Sequence, residues 1–122
     1  MAVFKGDIIG KPLDHEAAFD QLSSFSGESV EFLTAVSVLR LDRNFLEHHT
    51  DSTRVHFRKL TPTEIERYLH KEEPYDCAGA FKAEALGIAL FESIRSEDPT
   101  ALIGLPLIRT AHMLRHAGLK LP

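Results

Sequence analysis

A chain of 122 residues with 43% apolar and 26% charged side chains has ordinary globular composition. It fits one domain over residues 1–122, long enough to bury about two thirds of its unfolded surface. A formal net charge of −4 gives no general affinity for nucleic acid or anionic lipid, and no apolar run approaches the ~20 residues that span a bilayer.

The opening "MAVFKGDIIGKP" lacks the apolar core and cleavage site of a signal peptide. The one cysteine, Cys77, excludes an internal disulfide and suits a reducing compartment, so the cytoplasm is the expected setting. "AVFKGDIIG" predicts two short strands joined by a tight turn at Lys5-Gly6. Asp14 then caps a helix through "HEAAFDQLSSF", whose buried stripe is Ala18, Leu22 and Phe25.

Two longer strands follow in "VEFLTAVSVLRL" and "STRVHFRKL", the second with Thr53, Val55 and Phe57 on one face and Arg54, His56 and Arg58 on the other. The polar stretch between them, "DRNFLEHHTD", reads as the end of a hairpin. "TPTEIERYLHK" predicts a helix with Thr61 as N-cap, Pro62 in the first position, Glu64 closing a capping box, and Ile65 and Leu69 buried. "EEPYDCAGAFKAE" is an irregular connection and "GIALFESI" a strand. A last helix runs from Pro106 to His116, with Gly118 as its stop. The order β-β-α-β-β-α-β-α predicts an α/β domain, a mixed sheet with helices packed on it.

Seven histidines invite a metal search. His48 and His49 are adjacent in extended chain, so their side chains diverge. His112 and His116 have chelating spacing but lack the glutamate of an H-E-x-x-H pattern, and exposed histidines are the plainer reading. Cys77 is isolated and reads as a buried structural thiol.

Two short stretches carry more. In "GKP", residues 10–12, a glycine and a stiff proline hold Lys11 where it can meet a phosphate, although a surface lysine in a turn is the plainer reading of three residues alone. In "EPYDCAGAFKAE", Asp76, Lys82 and Glu84 stand among small residues that leave room for a ligand. If this piece is extended, Lys82 and Glu84 share a face. A lysine there can hold a phosphate and a glutamate can accept paired N–H donors from a purine edge. A solvent-facing salt bridge between them is the alternative, and spacing alone does not decide.

"GKPLD", "VHFRKLTPTEIERYLHKEEPYDCAGAFKAEALG" and "LIGLPL", in this order, resemble the C-terminal two thirds of the Maf family of nucleotide pyrophosphatases. The branch most similar is the one acting on 7-methyl-GTP, which carries glutamate in an F-K-x-E stretch, here "FKAE" at residues 81–84, where the UTP and dTTP branches carry glutamine. The resemblance implies the three-layer α/β fold shared with inosine triphosphate pyrophosphatases. It also implies attack of water on the α-phosphorus of a nucleoside triphosphate, giving a monophosphate and pyrophosphate, with a divalent cation, Mg²⁺ or Mn²⁺, whose ligands it does not identify. By resemblance Glu84 reads the base, Lys11 offsets charge developing on the phosphates, and Lys82 and Asp76 lie beside the substrate.

The match begins at Met1, just beyond the S-D-Q or S-D-T motif whose aspartate is the family's proposed proton acceptor. Neither that aspartate nor the upstream S-x-S-x-x-R phosphate loop is found in the chain, and Ala35 stands where the family usually has glycine after Thr34. The expectation is an N-terminally truncated member with little or no activity alone, and with an open sheet edge that favours a homodimer. The alternatives are a non-catalytic nucleotide-binding or dimerisation remnant, and a UTP or dTTP pyrophosphatase of the same family.

Overall fold

The computed structural model describes residues 1–122. Its strands are β1 (Ala2–Phe4), β2 (Asp7–Ile9), β3 (Ser29–Arg40), β4 (Phe45–Phe57) and β5 (Phe91–Arg95), and its helices α1 (His15–Phe25), α2 (Pro62–Glu72) and α3 (Leu107–His116). The strands form one sheet in the order β2-β1-β3-β4-β5, with β1–β2, β1–β3 and β4–β5 antiparallel. This is the α/β arrangement of sheet and packed helices that the sequence predicts, with its elements in the predicted order.

The chain divides into two compact units, one of Met1–Phe32 with Arg54–Arg95 and one of Leu33–Thr53 with Ser96–Pro122. The first unit is built on an aromatic chain. Phe57 lies 5.4 Å from Phe25, 5.7 Å from Phe81 and 5.2 Å from Phe91, ring centre to ring centre, and Phe81 also meets Phe32 at 5.0 Å. The Phe32, Phe57, Phe81 and Phe91 contacts are edge-on, and pairs of that geometry add about 0.5–1.5 kcal/mol each to the area they bury. Ala18, Leu22 and Phe25 of α1 and Ile65, Tyr68 and Leu69 of α2 are buried, and α1 packs on α2.

Local chemistry sets the ends of these elements. Lys5 (φ 48°) and Gly6 (φ 86°) give the left-handed pair that a two-residue hairpin needs. Asp14 accepts from the Ala17 N–H at 2.8 Å, and the Thr61–Glu64 capping box is complete.

In the second unit, α3 begins at Pro106, which has no side-chain acceptor to offer. The orphan donors of its first turn are met from the preceding loop: Leu107 N–H donates to Thr100 Oγ1 at 2.8 Å and Ile108 N–H to Asp98 Oδ2 at 2.8 Å. Asp98 is 2% exposed. Burial pushes its carboxyl up, but hydrogen bonds from Thr100, Ile108 and Arg109 outweigh that and hold it below the usual carboxylate range.

Three local expectations are corrected. The hairpin end is confined to residues 41–44, where Asn44 adopts φ 50°, and the strand resumes at Phe45. Polarity hid this, because Phe45, Glu47, His49 and Asp51 alternate with more exposed neighbours as a strand requires. "GIALFESI" is a strand only from Phe91; residues Leu86–Leu90 form a 3₁₀ helix with Gly87 and Leu90 buried at its three-residue period. Cys77 is half-buried rather than buried.

Candidate functional site

The small-residue connection after α2 is ordered by its own backbone and by the core. Glu73 (φ 48°) ends the helix, Cys77 N–H donates to Pro74 O at 3.2 Å, and Ala80 N–H to Cys77 O at 3.0 Å. Gly79 adopts φ 79°, and a Cβ there would stand 3.4 Å from the Phe81 ring and 3.5 Å from the Phe32 ring. Phe81, 6% exposed, is the anchor: it sits in the aromatic chain immediately before Lys82.

Residues 82–85 are then a turn, closed by Ala85 N–H donating to Lys82 O at 3.3 Å. The piece is therefore not extended, and the shared face expected of Lys82 and Glu84 is replaced by a tight reversal. Glu84 is exposed on it and Lys82 half-buried. The two form no salt bridge with each other, so the pairing alternative is not realised within the 4.0 Å limit of an ion pair.

Asp76 lies against Cys77, and Lys82 and Glu84 follow on the turn beyond Phe81. Burial raises the Cys77 thiol above its usual value, and Asp76, whose Oδ1 lies 3.6 Å from the sulfur, raises it further. Lys82 acts on the same sulfur in the opposite sense and Glu84 in the same sense as Asp76. A thiol held protonated is a poor nucleophile.

The loop bearing Lys11 is tied to this segment through its backbone. Leu13 N–H donates to Tyr75 O at 2.8 Å, His15 Nδ1 shares a hydrogen bond of 3.1 Å with the Tyr75 hydroxyl, and His15 Nε2 lies 2.8 Å from Glu66 on α2. Lys11 itself is exposed and makes no ion pair with Asp76 or Glu84, which leaves its ammonium available to an anion.

Sequence reasoning missed the residues that hold the turn. Tyr68, buried in α2, accepts from Lys82 N–H at 3.1 Å, and Glu72 accepts from Leu86 N–H at 2.9 Å. Burial pushes the Tyr68 phenol well above its usual range, and the charges of Glu72 and Glu84 push the same way. Gly87 is also needed: a Cβ there would stand 2.2 Å from Lys82 O and 2.9 Å from Lys82 N. The available signal was the spacing of Tyr68 and Glu72, one turn apart on a helix face.

No group of three or more His, Cys, Asp or Glu side chains could hold a metal ion. His116 turns to Glu47 at 3.0 Å. No helix is long and apolar enough to cross a membrane.

With this sheet, its packed helices and the turn at residues 82–85, the chain over residues 1–117 matches the Maf-like protein family. It belongs to that family. It is 52% identical over 122 residues to the 7-methyl-GTP pyrophosphatase of Xanthomonas axonopodis pv. citri, covering 100% of this chain and 63% of that protein. It is 53% identical over 121 residues to the 7-methyl-GTP pyrophosphatase of Polaromonas sp., covering 99% and 55%, and 50% identical over 124 residues to that of Pseudomonas savastanoi pv. phaseolicola, covering 100% and 64%. The chain thus spans about three fifths of the length of the curated relatives it matches.

Proposed function

We propose that this chain carries the base-reading part of a nucleoside triphosphate pyrophosphatase whose substrate is 7-methyl-GTP. The observation that carries the reading is Glu84, an exposed carboxylate without an ion-pair partner, on a turn fixed at both ends. Methylation at N7 places positive charge on the guanine ring and makes N1–H a stronger donor. A carboxylate accepts from N1–H and the exocyclic amine together, as two charge-assisted hydrogen bonds. Glutamine would turn a donor toward one of those donors, leaving a polar group unpaired.

In the reaction, water attacks the α-phosphorus, the bond from that phosphorus to the bridging oxygen breaks, and pyrophosphate leaves. Lys11 and Lys82 would place positive charge beside the phosphates, where negative charge develops. Asp76 would line the same side. The proton of the attacking water is assigned to no residue of this chain. A divalent cation, Mg²⁺ or Mn²⁺, would offset phosphate charge. The chain's own side chains form no cluster to hold it, so the triphosphate would supply much of its coordination.

A cytoplasmic setting accords with the lone thiol, and a homodimer with β2 and β5 as sheet edges. Sedimentation tests the second: a monodisperse monomer at micromolar concentration refutes it.

The deciding experiment offers 7-methyl-GTP, GTP, UTP and dTTP with Mg²⁺ and follows pyrophosphate release, with calorimetric titration of 7-methyl-GMP, GMP and UMP in parallel. Preference for the methylated guanine nucleotide in either assay supports the proposal. Preference for uridine or thymidine nucleotides moves the chain to the other branch. Absence of both turnover and binding would sink it.

A further inference from the structure

The base-reading turn has both ends fastened to one helix. Lys82 N–H enters it on Tyr68 Oη at 3.1 Å and Leu86 N–H leaves it on Glu72 Oε1 at 2.9 Å. Tyr68 and Glu72 are four residues apart, so they stand on one face about 6 Å apart along the axis. A four-residue reversal brings Lys82 and Ala85 within about 7 Å, and Leu86 follows directly on it.

Neither anchor is loose. Tyr68 is 5% exposed, and α2 is fixed by its capping box and by Ile65 and Leu69, 1% and 0% exposed. The carboxylate on Leu86 N–H makes a charge-assisted bond, stronger than a neutral one. Gly87 completes the arrangement, since only a residue without Cβ lets the Lys82 peptide pass this close.

We infer that Tyr68 and Glu72 are positioning residues that set the base selectivity of Glu84 without themselves needing to touch the nucleotide. This rests on the reading of Glu84 given above. A carboxylate on an unfastened turn would have to be ordered by the ligand at each binding event. On a turn held at both ends it is already in place. The selectivity for the methylated ring then depends on two hydrogen bonds made by α2.

The test uses the full chain and the variants Tyr68→Phe, Glu72→Ala, Glu72→Gln and Glu84→Gln. The readouts are the selectivity ratio, the dissociation constant of GMP divided by that of 7-methyl-GMP, and amide hydrogen exchange at Lys82 and Leu86. Tyr68→Phe and Glu72→Ala should each lower the ratio about 3–10-fold, the worth of one hydrogen bond, and speed exchange at the amide they release. Glu72→Gln keeps an acceptor oxygen and should restore both readouts.

Placed in the Glu84→Gln background, Tyr68→Phe should change the ratio no further, because it acts through Glu84. An unchanged ratio in both Tyr68→Phe and Glu72→Ala, or the same fold-change in the Glu84→Gln background, overturns the inference. If the wild-type chain does not discriminate, the reading of Glu84 fails. Exchange then judges the fastening separately, and unchanged rates at Lys82 and Leu86 in both variants overturn that too.

Discussion

Gly87→Ala is a single methyl placed against backbone. Its Cβ would lie 2.2 Å from Lys82 O, 2.7 Å from Lys82 C and 2.9 Å from Lys82 N, whereas real Cβ contacts are essentially never under 3.0 Å. The Lys82 peptide must therefore retreat by close to an ångström. It cannot retreat freely, since Phe81 on one side is locked in the aromatic chain and Lys82 N–H is bonded to Tyr68. Over-packing of this kind costs about 1–3 kcal/mol. For a chain of this length that is a fall in melting temperature of about 4–12 °C. The 3.3 Å bond from Ala85 N–H to Lys82 O should weaken with it.

Gly104→Ala is the control, because its Cβ would meet nothing within 4 Å. It should leave the melting temperature within about 4 °C of wild type or raise it by trimming the unfolded ensemble. Differential scanning calorimetry of the two variants decides the matter. Equal melting temperatures for Gly87→Ala and Gly104→Ala would show that the turn yields without cost, and the steric account of Gly87 would fall.

Glu64 is held down to about 2 by the Thr61 backbone N–H and by Arg58, whose Nη1 lies 2.6 Å from it. Because its folded value is depressed from 4.5, its contribution is complete above that pH and lost as pH falls toward 2. Glu64→Gln should thus flatten the dependence of melting temperature on pH within that window, and a slope identical to wild type would contradict the linkage. Thr61→Ala, which removes the acceptor for Glu64 N–H, should cost about 1 kcal/mol in urea unfolding at neutral pH.

Asp98→Asn puts an amide against the donors of Thr100 and Ile108, which the carboxylate alone satisfies with both oxygens. A loss of about 1–3 kcal/mol is expected from the unpaired donors. Unchanged urea stability would show that Asp98 does not hold the start of α3.

The residues themselves determined most of the local structure. Asp14, the Thr61–Glu64 box, Pro62 and the Lys5-Gly6 turn each act within a few positions of themselves, so their effects are legible without knowing the fold. The same holds for the stripes Ala18-Leu22-Phe25 and Ile65-Leu69, where a period near 3.6 betrays the buried face. Family membership was legible too, because motifs in a fixed order and separation survive in one dimension. The polar arm Phe45–Thr50 and the five residues before β5 were not. A short run of either kind has no periodicity strong enough to outweigh its composition, and its partners lie elsewhere in the chain.

Only tertiary structure decided how the site is held. Nothing near Lys82 in sequence announces that its N–H belongs to Tyr68, fourteen positions earlier, or that Leu86 belongs to Glu72. Nor does Gly87 reveal, as a lone glycine in an apolar run, that a peptide bond passes where its side chain would be. Those constraints come from close packing between segments that meet only on folding. The sequence supplied the carboxylate that reads the base in our proposal, and the packing of α2 against the 82–87 segment fixed where that carboxylate stands.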